Sequence, residues 1–197
     1  MMAKISIEDV KKLREETGVS VTDCQKALEE TEGDFDKAKD VLRKKGMELA
    51  GKRAGREVAQ GIIDSYIHPN KKVGVLLELR CESDFVAKSP DFQNLAHELC
   101  LQIAAMAPLF VKEEDISEEL LDREKKIYKE QSSTSGKPQK VVDQIIEGKL
   151  KKYKEGVSLL SQPWIKDQTK TIKDLLDESV AKIGENIVIK SFARYEI

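Results

Sequence analysis

A chain of 197 residues can bury one real core and a small second unit. Its 34 Lys and Arg nearly balance its 36 Asp and Glu, and a net charge of −2 gives no whole-molecule field to draw in nucleic acid or an anionic membrane. No apolar run approaches the roughly 20 residues of a membrane span, no secretory h-region opens the chain, and Cys24, Cys81 and Cys100, far apart and with no Cys-x-x-Cys, speak for a reducing cytoplasm rather than a disulfide framework.

The first 46 residues predict three short helices. Ser6 with Asp9 makes a capping-box pattern before a helix through Val10 and Leu13, which Gly18 stops. Ser20 with Asp23 opens a second helix carrying Cys24, Ala27 and Leu28, and Gly33 closes it. Asp34 caps a third through Phe35, Ala38, Val41 and Leu42, with Gly46 just past its end. Residues 43–56 then set Arg43, Lys44, Lys45, Lys52, Arg53 and Arg56 against Glu48 alone. That run is either a nucleic-acid patch or a solvated helical connector with snorkelling stems. No aromatics are interleaved for base stacking, so direct nucleic-acid binding is not expected.

From Gly61 the period changes from helical to alternating. Residues 61–68 read as a strand, Pro69-Asn70 as a turn, and residues 72–80 as the antiparallel partner. In that partner Val73, Val75, Leu77 and Leu79 alternate with Gly74, Leu76, Glu78 and Arg80. A helix over 90–106 follows, with Phe92, Leu95, Ala96, Leu99, Cys100 and Ile103 as its apolar stripe and Ser89-Pro90 as its start. Helices are also predicted over 117–130 and 138–155, an irregular stretch over 158–167, a helix from Ile172 that Gly184 ends, and a last strand over 186–197. The fold class is α+β: a three-helix unit over 1–46, a basic helical linker over 47–60, and a core over 61–197 with a small three-stranded antiparallel sheet packed with helices. Apolar residues on both faces of so small a sheet ask for two covers, helices on one side and a second copy of the chain on the other.

Between the clearest strand and the clearest helix stands Cys81-Glu82-Ser83-Asp84-Phe85-Val86-Ala87-Lys88. Rigid elements grip Ser83-Asp84-Phe85-Val86 from both ends. Two readings are open: Asp84 caps a turn while Phe85 enters the core, or the turn holds a carboxylate and a ring outward in a fixed direction.

Motifs for bond chemistry are missing. His97-Glu98 starts like a zinc-protease helix, but Leu101 stands where the second histidine belongs, and His68 is the only other histidine. Gly136-Lys137 looks like the end of a phosphate loop, yet Gln131 and Pro138 replace the first glycine and the hydroxyl residue. A Cys81 or Cys100 nucleophile with His97 stays open as a rival, although buried cysteine is commoner. No cofactor and no metal of its own is expected.

Several blocks resemble one family. Leu13-Arg14-Glu15-Glu16-Thr17-Gly18, Asp23-Cys24-Gln25-Lys26-Ala27-Leu28, Gly33-Asp34 and Leu42-Arg43-Lys44-Lys45-Gly46 resemble the amino-terminal module of translation elongation factor Ts, a module similar to ubiquitin-associated three-helix domains. Cys81-Glu82-Ser83-Asp84-Phe85-Val86-Ala87 resembles the family's Thr-Asp-Phe-Val signature. Ser135-Gly136-Lys137-Pro138, Glu147-Gly148, Gln162-Pro163-Trp164-Ile165-Lys166-Asp167 and Ala181-Lys182-Ile183-Gly184-Glu185-Asn186-Ile187 resemble its later blocks, in order. The length is that of the short bacterial form, with one sheet subdomain.

The resemblance implies a cytoplasmic guanine-nucleotide exchange factor for elongation factor Tu, without bond chemistry. Asp84 and Phe85 would intrude near the partner's Mg²⁺ site, Ser83 and Val86 would hold the turn, and Lys11, Arg14 and Val21 would dock on the partner's nucleotide domain. Two copies would pair through their sheets and bind two partners, a 2:2 complex. Ser83 for threonine keeps the hydroxyl, Val21 stands where methionine is common, and Trp164 replaces a usual phenylalanine. Ala193 occupies the place of a bridging cysteine in some members, which argues against a covalent dimer. A rival reading keeps the three-helix start as a ubiquitin-associated-like module of a ribosome- or chaperone-linked adaptor.

Overall fold

The computed structural model describes residues 5–133 and 138–197. The look-alike pair Gly136-Lys137 and most of the 135–138 block lie outside the described residues. Those described form an α+β fold with a three-stranded antiparallel sheet and a small two-stranded ribbon. They divide into two compact units, Met1–Ile63 with Glu78–Ala96 and Asp174–Val188, and Asp64–Leu77 with His97–Lys173 and Ile189–Ile197.

In the first unit the three expected helices are present: α1 (Ile7–Thr17), α2 (Val21–Glu30) and α3 (Phe35–Arg53). Their starts are local hydrogen bonds. Ser6 Oγ accepts from the Asp9 N–H at 3.0 Å while the Asp9 carboxylate accepts from the Ser6 N–H at 3.3 Å, a reciprocal box. Ser20 Oγ accepts from the Asp23 N–H at 3.2 Å, and Asp34 Oδ1 from the Lys37 N–H at 3.1 Å. Gly18, at φ 67°, ends α1 in the left-handed region and donates its N–H to the Arg14 carbonyl. Val10, Leu13, Cys24, Ala27, Leu28, Ala38 and Leu42 form the small core.

Gly46 does not lie past the end of the third helix; α3 runs through it to Arg53. Gly46 is buried, and a Cβ there would stand 3.5 Å from Ala181 Cβ and 3.8 Å from the Asp177 carbonyl. A Cβ at those distances would make ordinary van der Waals contact with α8 (Ile172–Ile183), so the helix runs on through a glycine that the packing does not demand. The basic segment is spent in part on internal partners. Arg43 pairs with Asp174 at 2.8 Å, Lys45 with Glu30 at 3.0 Å and Arg56 with Glu82 at 3.5 Å, and Arg53 donates to the Val180 carbonyl at 3.0 Å.

The sheet order is β1-β2-β5, with β1 Gln60–Ile67, β2 Val73–Cys81 and β5 Ile187–Glu196. Along β2, Val75, Leu77, Leu79 and Cys81 are buried and Leu76 is exposed, as the alternation requires. Where β1 pairs with β2, a side chain on Gly61 would run into the Leu79 carbonyl oxygen, so only glycine fits. After β2 come α4 (Asp84–Ala87) and α5 (Pro90–Met106), the latter burying Phe92, Leu95, Ala96, Leu99, Cys100 and Ile103.

In the second unit α6 (Glu118–Ser133) and α7 (Gln139–Val157) pack as a pair, burying Val142 and Ile146. The stretch read as irregular over 158–167 is partly ordered: β3 (Pro163–Trp164) and β4 (Asp167–Thr171) make an antiparallel ribbon. A buried amide holds it. Gln102 Nε2 donates to Gln162 Oε1 at 3.2 Å and to the Pro163 carbonyl at 3.1 Å, and Gln102 Oε1 accepts from the Ile165 N–H at 2.9 Å. Among the described residues no helix is long and apolar enough to cross a membrane.

Candidate functional site

The 83–86 turn is one helical turn, capped at its entry. Ser83 is extended, at φ −122° and ψ 155°, and its Oγ accepts from the Val86 N–H at 3.3 Å. The Lys88 N–H returns to the Asp84 carbonyl at 3.2 Å and the Ser89 N–H to the Val86 carbonyl at 2.9 Å. Ser89 Oγ then accepts from the Phe92 N–H at 3.3 Å, which starts α5. Val86 and Ala87 are buried, so the turn is pinned from beneath. With those two inward, the preceding residues must point away from the core.

Phe85 is 80% exposed, which rules out the reading that packs it inside. Asp84 is exposed beside it and takes a hydrogen bond from Lys88 Nζ at 2.9 Å. That bond and the lysine's charge hold the Asp84 carboxyl below the usual carboxylate range, so the tip carries a negative charge at neutral pH. An unburied phenyl ring thus stands next to a carboxylate on a turn fixed at both ends.

The backbone just before the turn is held from far along the chain. Glu185 Oε2 accepts from the Glu82 N–H at 3.1 Å and the Ser83 N–H at 2.9 Å, and Glu185 Oε1 accepts from the Ser83 hydroxyl at 2.5 Å. In return Glu82 Oε1 accepts from the Asn186 N–H at 2.6 Å. Asn186 Nδ2 donates to the Arg56 carbonyl at 2.9 Å.

Lys11 and Arg14 lie exposed on α1, and Val21, 49% exposed, opens α2. Lys11 is 3.9 Å from Glu15, a loose surface pair. Among the described residues no hydrogen bond or ion pair joins this face to the 83–86 turn.

The family model described as "Elongation factor TS" matches residues 7–197. The chain belongs to that family. Curated relatives named Elongation factor Ts match nearly end to end. The one from Coprothermobacter proteolyticus is 50% identical over 194 residues, covering 98% of this chain and 98% of the relative. The one from Thermotoga petrophila is 51% identical over 194 residues, covering 98% and 96%, and that of Moorella thermoacetica 49% over 193, covering 98% and 95%.

For a member of the elongation factor Ts family, the thiols are built as core. Cys81 is buried, donates to the Ser83 carbonyl at 3.2 Å, and is pushed up to about 11 by burial, with Glu185 adding to it. Burial pushes Cys100 up to about 12. Both stay protonated at neutral pH and are poor nucleophiles there. His97 is exposed and meets Tyr66 edge to face, ring centroids 6.1 Å apart. The residues that sequence reasoning passed over are Glu82, Glu185 and Asn186. They stood inside matching blocks, but nothing in their spacing says that they meet.

Proposed function

We propose that this chain is a guanine-nucleotide exchange factor acting on elongation factor Tu in translation elongation, in the cytoplasm and without bond chemistry of its own. The observation that carries the reading is the exposed Phe85 beside Asp84 on a capped, pinned turn, in a chain of the elongation factor Ts family. The physics is linkage. A protein that binds the nucleotide-free GTPase better than its GDP form weakens GDP by the same factor. A GTPase grips GDP chiefly through its phosphate loop and Mg²⁺. Phe85 acts as an apolar wedge near that Mg²⁺ site, and Asp84 brings charge and hydrogen-bonding capacity where the ion's shell must rearrange. Ser83 and Val86 hold the turn. Lys11, Arg14 and Val21 dock the 1–46 module on the nucleotide domain. The ion is the partner's, dislodged and not bound here.

A homodimer giving a 2:2 complex is part of the same reading. Ile67, Leu76, Tyr195 and Ile197, on or beside the strands of the second unit, are 64%, 50%, 75% and 96% exposed. Apolar area left open on strands supports a second copy as its cover.

The deciding experiment follows labelled GDP leaving elongation factor Tu with and without this chain. Release should accelerate with added protein and reach a plateau. An unaltered GDP lifetime at saturating concentration would refute the function.

A further inference from the structure

A wedge works only if it arrives in one orientation, and the groups that orient this one are not next to it in sequence. The N–H groups of Glu82 and Ser83 stand between the end of β2 and the first turn of α4. A single carboxylate, Glu185, takes both of them, and its second oxygen takes the Ser83 hydroxyl proton. That last bond sets the polarity of the cap. With its only proton committed to Glu185, Ser83 Oγ keeps its lone pairs for the Val86 N–H, which is the bond that closes the turn. The three bonds are charge-assisted, the stronger kind, and together they fix the peptide planes that precede Asp84.

The carboxylate is itself held. Gly184, at φ 91°, turns the chain out of α8 and donates its N–H to the Val180 carbonyl at 2.9 Å. Asn186 returns its N–H to Glu82 at 2.6 Å, so residues 82–83 and 185–186 grip each other in both directions. Behind them α8 is seated on α3 by the Arg43–Asp174 pair, by Arg53 on the Val180 carbonyl and by the Gly46–Ala181 approach. Water could satisfy two N–H groups and a hydroxyl as well as a carboxylate does, but it would leave their direction open.

We propose that Glu185 is a positioning residue for nucleotide exchange: it aims Asp84 and Phe85 through the backbone of Glu82 and Ser83. The inference rests on the wedge reading above. A group that aims the prong changes how fast the docked complex releases nucleotide. A group that merely stabilises the fold, or docks the partner, changes how much active protein there is or how tightly it binds.

The test measures release of labelled GDP from elongation factor Tu over a range of concentrations of the full-length chain, giving a plateau rate and a half-saturating concentration. Glu185→Ala should lower the plateau about tenfold, since a misplacement near 1 Å can cost up to about a hundredfold, while half-saturation moves by less than about threefold. Glu185→Gln should recover part of the plateau, because the amide oxygen can still accept both N–H groups while the Ser83 hydroxyl loses the acceptor of its proton. Adding Phe85→Ala to Glu185→Ala should slow release little beyond Phe85→Ala alone, the signature of two residues acting as a unit. If Glu185→Ala does not fold, Glu185→Asp, whose carboxylate stops one methylene short, is read on the same plateau: a lowered value supports the proposal and an unchanged one overturns it. A wild-type plateau in Glu185→Ala while Phe85→Ala is slow removes the positioning role and leaves the wedge standing. So does a Glu185→Gln protein as slow as the alanine variant. Phe85→Ala at the wild-type plateau removes the wedge itself.

Discussion

The two regions proposed to meet the partner share local caps but differ in what else holds them. The face of α1 and α2 is placed by bonds that span three residues: Ser6 to Asp9, Ser20 to Asp23. The 83–86 turn is placed by bonds that span about a hundred: Ser83 to Glu185 across 102 positions and Asn186 to Glu82 across 104. A locally capped face can be displayed by a small module. A prong that must point in one direction is tied to residues far along the chain, although both regions lie in the same compact unit. On the proposed reading the first region would supply affinity and the second the rate.

The largest effect that could break this division is at Phe85. Its ring is 80% exposed, so Phe85→Ala should leave thermal stability within about 0.5 kcal/mol of wild type. If the ring is buried in the complex as an anchor, its loss should cost about 2 kcal/mol or more of transition-state binding, roughly thirtyfold in plateau release rate. Stopped-flow release of labelled GDP checks the rate, and a thermal melt checks the fold. A large loss of melting temperature with normal release would reverse the assignment.

Next in size is the docking face. Lys11→Ala and Arg14→Ala remove exposed charges, each worth at most about 1 kcal/mol in a surface pair, so each should raise half-saturation a few-fold and leave the plateau alone. The shift should shrink as salt rises, because exposed charges are screened over about 8–10 Å at physiological ionic strength. Val21→Ala should behave likewise without the salt dependence. A plateau that falls in these variants would show that docking and prising are not separable. Removing residues 1–46 is a poor version of this experiment, because that cut falls inside α3 and strips the contacts that seat α8.

The same contrast explains what could be read from the sequence. Helix starts were legible because their chemistry is local: Ser6, Ser20, Asp34 and Ser89 each cap the helix expected to follow. The alternation in β2 was legible because one face is buried. The outward Phe85 was half legible. Residue type left it between core and surface, and what turns it out is the burial of Val86 and Ala87 beside it. The ribbon over 163–171 was hidden because strands this short carry no periodicity, and the group that orders them, Gln102, sits some sixty positions away. Glu185 was hidden for the same reason.

Gly46 offers the finest test, and it concerns the seat on which the prong is mounted. Read locally, Lys44-Lys45-Gly46 is a helix end with bases in the last turn. In the fold it is mid-helix and buried, and a Cβ built on it would lie 3.5 Å from the Ala181 Cβ. That distance, and the 3.8 Å to the Asp177 carbonyl, are ordinary van der Waals separations, so Gly46→Ala should fit without displacing α8. It should then raise stability by about 0.5–1 kcal/mol, the helix-interior advantage of alanine over glycine, with the plateau and half-saturation of GDP release unchanged. Gly46→Leu carries the same helical advantage, but its extra carbons have no room against Ala181. It should push α3 off α8, costing about 1–3 kcal/mol as overpacking does and lowering the plateau through Gly184 and Glu185. If Gly46→Leu loses stability and keeps its plateau, α8 is a passive support, and the orientation of the prong is set by Glu185 and its immediate neighbours alone.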